Sequence, residues 1–139
     1  MLKQRQAADR TEAINHMKQL NLALIDFDSD YGSFPSDETA KDDPAFAGLT
    51  GPRVLEQLEA AGCVEDLDRL LAVRGDSDAK WYYIPGVSTS GDPARPVLIT
   101  PAVDGKVSVL RIDGSAMPSS SLSQIDLTGA VEIPVPKKR

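Results

Sequence analysis

Residues 10–35 read RTEAINHMKQLNLALIDFDSDYGSFP, and in this stretch Ile14, Met17, Leu20, Leu24, Phe27 and Tyr31 recur at spacings of three and four. That period places them along one side of an α-helix. Neither Gly nor Pro occurs between Leu2 and Tyr31, so the helix is expected over about residues 1–31, with a length of roughly 44 Å. Leu22 and Ile25 are read as widening the apolar stripe in its second half. The first half is polar, with Lys3, Gln4, Arg5, Gln6, Asp9 and Arg10 around Ala7 and Ala8. Because a rod of that length exceeds what a 139-residue domain needs to cover its core, the front half is expected to project. Gly32 supplies a left-handed cap, and Phe34-Pro35 stops continuation.

Outward from this helix, residues 36–51 mix charge with Gly and Pro and read as a surface loop. Pro52 suits a first helical position, Val54, Leu55 and Leu58 give an apolar face, and Gly62 ends a second, short helix. Glu65 to Val73, with Leu67, Leu70 and Leu71, predicts another turn or two before Arg74-Gly75-Asp76. From Trp81 onward the chain is β-rich, with WYYI at 81–84, VLIT at 97–100 and VSVLRI at 107–112. Asp104-Gly105 joins the last two as a hairpin, and Asp113-Gly114 closes the second of them. Residues 117–124 read as polar and weakly structured. Val131, Ile133 and Val135 alternate with Glu132, Pro134 and Pro136, which confines that run to an edge strand or extended tail. The expected fold class is α+β: a long N-terminal helix packed on a small antiparallel sheet, with one or two short helices between. One domain spans 1–139, of which 1–31 is the helix and 32–139 the head.

Charge excludes some partners. The chain has 15 basic and 21 acidic residues, a net of −6, which disfavours a nucleic-acid or anionic-membrane surface. Residues 1–20 hold Lys3, Arg5, Arg10 and Lys18 against Asp9 and Glu12, so the front is basic and the body acidic. The densest acidic run, Asp26, Asp28, Asp30, Asp37, Glu38, Asp42 and Asp43, is read as a solvated surface. One cysteine, Cys63, rules out an internal disulfide and does not reveal the compartment. No apolar run of about 18 residues and no signal peptide is present.

The segment from Arg10 to Leu24, continuing to Tyr31-Gly32-Ser33-Phe34-Pro35, resembles type IV pilin-like proteins and type II secretion pseudopilins just beyond their membrane helix. Pro52 to Leu58 and the turn from Leu110 to Ser115 resemble that family less specifically. About half the chain is covered. In that family the helix begins with a hydrophobic half that anchors the subunit and later packs in a filament core. Here only the amphipathic second half is matched, so the sequence is read as the soluble part, starting at an added Met1. The resemblance implies a structural subunit of a type IV pilus-like filament or a type II secretion pseudopilus. It also implies other pilin or pseudopilin subunits as partners, an inner-membrane anchor before assembly, and a place on the periplasmic or cell-surface side of the envelope. The paired cysteines that tie the C-terminal loop of some type IV pilins are absent, which favours the pseudopilin or minor-pilin branch. The alternative is a surface binding module, an adhesin or host-contact protein, taking a protein or glycan on its aromatic strand or acidic loop.

The residues themselves supply no catalytic, cofactor-binding or metal-binding set, and the protein is read as not an enzyme. Asp26-Phe27-Asp28-Ser29-Asp30-Tyr31-Gly32 approaches a calcium loop, but Tyr31 stands where the pattern needs Gly and Asp37 where it needs a bidentate Glu. On a helix the three aspartates diverge. Some related pseudopilin heads bind calcium near the sheet; Asp104, Asp113 and Asp126 have no such spacing, and turn chemistry accounts for the first two. His16, the one histidine, sits at helical spacing among Glu12, Asn15 and Gln19 on a face read as exposed. Ser77-Asp78-Ala79-Lys80 matches S-x-x-K by chance, without partner motifs, and residues 86–91 miss a nucleophile elbow and read as a flexible loop. Cys63 is read as a buried small hydrophobe. Of Trp81, Tyr82 and Tyr83, two are expected in the sheet core.

Overall fold

The helix runs unbroken over 30 residues, Leu2–Tyr31 (α1), in the computed structural model, which describes residues 2–72, 80–102, 106–119 and 129–135. At 1.5 Å per residue it is about 45 Å long. Gly32 at φ +86° receives the chain, and its N–H closes on the Asp28 carbonyl at 2.8 Å, as a left-handed C-terminal cap requires. Ala13, Met17, Leu20, Leu24 and Phe27 are all at most 1% exposed. Leu22 and Ile25 do not join them, being 69% and 40% exposed. The reason is angular: at 100° per residue, Leu22 lies about 160° from Leu20 around the axis, so its apolar side chain faces away from the core. The side chains of Lys3 to Arg10, expected to project, lie outside the described residues.

Residues 36–51 are more ordered than a surface loop. Two 3-10 turns, Thr39–Lys41 and Pro44–Phe46, bury Thr39 and Phe46. Phe46 stacks with Phe27 (ring centroids 5.7 Å) and Tyr31 (5.3 Å), closing an aromatic cluster over the last turn of α1. Gln57 supplies the polar counterpart. Fully buried, it donates through Nε2 to the carbonyls of Ser36 (2.9 Å) and Leu49 (2.8 Å), and its Oε1 accepts from Thr39 Oγ1 at 2.6 Å. All its hydrogen-bonding capacity for that pocket is used, which is what makes a buried amide tolerable. The short helix predicted after Pro52 starts as a 3-10 helix, Gly51–Glu56, and continues as α2, Gln57–Ala60. The next is α3, Leu67–Leu71, whose N-terminal amides are held by Glu59 and Asp66 carboxylates.

Five antiparallel strands follow: β1 Lys80–Tyr83, β2 Pro96–Ile99, β3 Val107–Arg111, β4 Ala116–Ser119 and β5 Val131–Pro134, in the spatial order β4-β3-β2-β1-β5. Asp104-Gly105 itself lies outside the described residues, but the strands on either side of it pair antiparallel as expected. The run expected to be weakly structured, 117–124, opens with three residues of β4. Its residues enter the sheet because Asp113-Gly114 makes a turn between two strands: Ser115 N–H donates to Asp113 Oδ1 at 2.8 Å, and Gly114 takes φ +87°. Pro118 and Pro134, which lack a ladder donor, both fall on edge strands, where the missing N–H breaks no pairing. One sheet face meets α1, α2 and α3 through Trp81, Tyr83, Leu98, Leu110 and Ile133, with Trp81 Nε1 donating to the Leu71 carbonyl at 2.9 Å. A register shift between Pro96 and Leu98 lets Val97 join the same cluster as Leu98. Ile99, Val107 and Val109 make a smaller cluster on the opposite face.

Two substitutions test this scheme. Leu24→Ala should cost about 2–5 kcal/mol through the cavity it leaves. Gln57→Leu should cost about 1–3 kcal/mol because the Leu49 carbonyl loses its partner. Both are read as lower urea midpoints at unchanged slope.

Candidate functional site

The solvent side of α1 carries the feature that stability does not explain. Large apolar side chains are exposed at three described positions, Leu22, Ile25 and Met117, and two of these lie one turn apart on the same helix face. Beside them a groove of about 330 Å³ opens between α1 and the link into α3, lined by Gln19, Leu22, Cys63, Val64, Glu65, Asp66, Arg69 and Leu70. Leu70 belongs to the core, while Cys63 and Val64 are half-buried. The carboxylate of Asp26 reaches the Cys63 thiol, so this wall is acidic apart from Arg69.

The residues singled out in the sequence do not converge on a reaction centre. Asp26, Asp28 and Asp30 occupy the last helical turns of α1, but only Asp28 diverges: Asp26 and Asp30, both exposed, lie one turn apart on the side that faces Cys63, whereas Asp28 lies about 160° from either around the axis and its Oδ2 accepts from Thr89 Oγ1 at 2.6 Å. That bond, with Phe34 N–H donating to the Val87 carbonyl at 2.8 Å, fastens the 86–91 loop to the end of the helix. His16 is half-buried instead of exposed, its Nδ1 enclosed without a hydrogen-bond partner, as is Glu12 Oε1 one turn earlier. Asp113 is occupied in its turn, where hydrogen bonds from Ser115 lower its carboxyl. Asp104, Asp126 and Ser77 to Ala79 lie outside the described residues, and Lys80 opens β1, its Nζ 2.7 Å from Glu132. Trp81 and Tyr83 are fully buried, so of the aromatic strand only the half-buried Tyr82 reaches the surface. The Tyr83 phenol donates to the Pro35 carbonyl, and burial pushes its ionisation well up. The outer helix face was assigned to the core in the sequence reading; a helical wheel centred on Leu20 carries the signal that separates it.

A family model described as "Protein of unknown function (DUF1559)" matches residues 3–124. The chain belongs to the DUF1559 family. No curated protein and no solved structure matches it significantly. The span matched in this DUF1559 protein takes in α1 from its second residue, α2, α3 and β1 to β4, and so includes every residue of the groove. No helix among the described residues is long and apolar enough to cross a membrane.

Cys63 gives the groove a chemical reporter. Burial first, then the Asp26 carboxylate, raises its thiol from 9.0 to about 11. The folded thiol holds its proton more tightly than the unfolded one. Its contribution to stability is therefore complete below pH 9 and lost as the pH rises through 11. Alkylation by iodoacetamide should be slow at pH 7 and climb towards pH 11, and Asp26→Asn should move the climb to lower pH. A thiol that reacts fully by pH 8 would contradict the groove geometry.

Proposed function

We propose that this DUF1559 protein is a non-enzymatic structural subunit of a type IV pilus-like filament or type II secretion pseudopilus. It works on the periplasmic or cell-surface side of the envelope, and its partners are other pilin or pseudopilin subunits. The observation that carries this reading is the two-sided character of α1. One stripe of the helix is sealed into the head, while Leu22 and Ile25 stand on its far side in water, beside a groove. An exposed apolar pair on a rigid rod is what a helix needs if it is to pack against neighbours once the head has folded. The resemblance further implies a hydrophobic segment preceding the helix, which would hold subunits in the inner membrane until assembly. The alternative of a surface binding module finds no support in the aromatic strand, since Trp81 and Tyr83 are closed off.

Cross-linking the full-length protein in its native envelope tests the proposal. A subunit should give a ladder of its own multiples or mixed adducts with other subunits; a monomer alone, or an adduct only with an external ligand, would overturn it. The double variant Leu22→Glu, Ile25→Glu should leave the urea midpoint within about 0.5 kcal/mol of the parent, as exposed positions do, while removing the ladder.

A further inference from the structure

We infer that the groove between α1 and the α2–α3 link is the acceptor site for the basic front of α1, residues 2–10, of a second copy of this chain. The inference rests on the subunit reading above and names which surfaces meet. Three observations carry it. The groove is half apolar, with Leu22, Val64 and Leu70, and half polar, with Gln19, Glu65, Asp66 and Arg69. Its volume of about 330 Å³ takes a few side chains of an amphipathic segment, not a whole folded partner. Its charge is acidic: Glu65, Asp66 and the adjoining Asp26 outnumber the two cations, Arg69 in the lining and Lys18 on α1 one turn before Leu22.

The complement occurs in the same chain. Residues 2–10 hold Lys3, Arg5 and Arg10 against Asp9, with Leu2, Ala7 and Ala8 as the apolar members. A basic, weakly apolar helical segment meeting an acidic, half-apolar groove satisfies both surfaces, and charge complementarity of this kind fixes register and orientation more than it adds affinity. The contact is heterologous: donor segment and acceptor groove are different parts of the molecule. Its repetition extends a chain of subunits and does not close a dimer. The donor segment is helical and one wall of the acceptor is α1 itself, so the contact transmits the axial spacing of one rod to the next.

Photo-cross-linking tests this in the full-length protein within its envelope. A benzophenone amino acid replaces Leu22 in one population, and a second, isotopically heavy population carries none. Mixed light-heavy peptide pairs that join position 22 to residues 2–10 are expected. Charge reversal supplies the second arm: Glu65→Lys with Asp66→Lys should cut the yield of those pairs by about tenfold, and Lys3→Glu with Arg5→Glu should restore it. Raising the salt concentration should weaken the contact, because the charges lie at the surface. Mixed pairs that map to other parts of the second copy, or a reversal that does not respond to its compensating partner, overturn the groove assignment while the subunit reading stands. Absence of any copy-to-copy adduct, from position 22 or from general cross-linkers, overturns both.

Discussion

The whole arrangement depends on one stripe of α1. Met17, Leu20, Leu24 and Phe27 are essentially inaccessible to water, and burial of four such side chains is worth about 6–12 kcal/mol before the entropy of ordering is charged against it. That is of the order of a domain's entire net stability. The stripe meets β3, α2 and α3, and Phe27 and Tyr31 then gather Phe46 from the loop beyond. Every other element of the head is thus placed by reference to this helix, and disturbing its register would shift sheet, short helices and loop together.

Around that apolar contact, a few buried polar groups decide the paths of the connections. Gln57 binds Ser36 and Leu49, Trp81 binds Leu71, and Tyr83 binds Pro35. The Gln57 and Tyr83 bonds tie connecting segments to regular elements and the Trp81 bond ties β1 to α3, and each would be costly if its partner moved, since a buried donor or acceptor left alone forfeits its hydration. Asp37, Glu38 and Asp42 face water because Ser36, Thr39 and Phe46 between and beside them point inward, while the half-buried Asp43 accepts from the Tyr31 hydroxyl and the Ala45 N–H. Charge run and ordered loop therefore coexist without conflict.

Much of this was legible in the residues. The period of Met17, Leu20, Leu24 and Phe27, the Tyr31-Gly32 stop, and the β-rich runs at 81–84, 97–100 and 107–112 lead to the α+β class and nearly to the strand limits. The run at 117–124 misled because Ser and Pro have low strand propensity, whereas β4 is held by pairing Val109 with Met117 and Leu110 with Ala116 across the Gly114 turn. The 36–51 segment misled for a related reason: its order comes from Gln57, far along the chain, and local composition does not contain that bond. The outer face of α1 is the instructive case. Leu22 and Ile25 add to the apolar count of the helix, but their angle and not their number determines which side they serve.

That angle separates two ways of using an apolar residue. Met117, exposed on the edge strand β4, is adjacent to the buried Val109 and extends the smaller cluster of the sheet. Leu22 and Ile25 stay outside the core because it lies on the opposite side of the helix that bears them, and Leu22 meets its edge only across the groove, at Val64 and Leu70. Their exposure also persists in the unfolded chain, so folding the head alone neither rewards nor penalises them appreciably. In the proposed assembly these two side chains serve contacts between molecules, and the elements around them are held by the core: α1 by its buried stripe and α3 by Leu67, Leu70, Leu71 and the Trp81 bond. A contact face anchored on a core-packed helix and on the short link that leads into α3 loses little entropy on docking and can set a repeat distance. An adaptable loop would cost more on ordering and set the spacing less sharply, which is why the proposed assembly rests on the helix face.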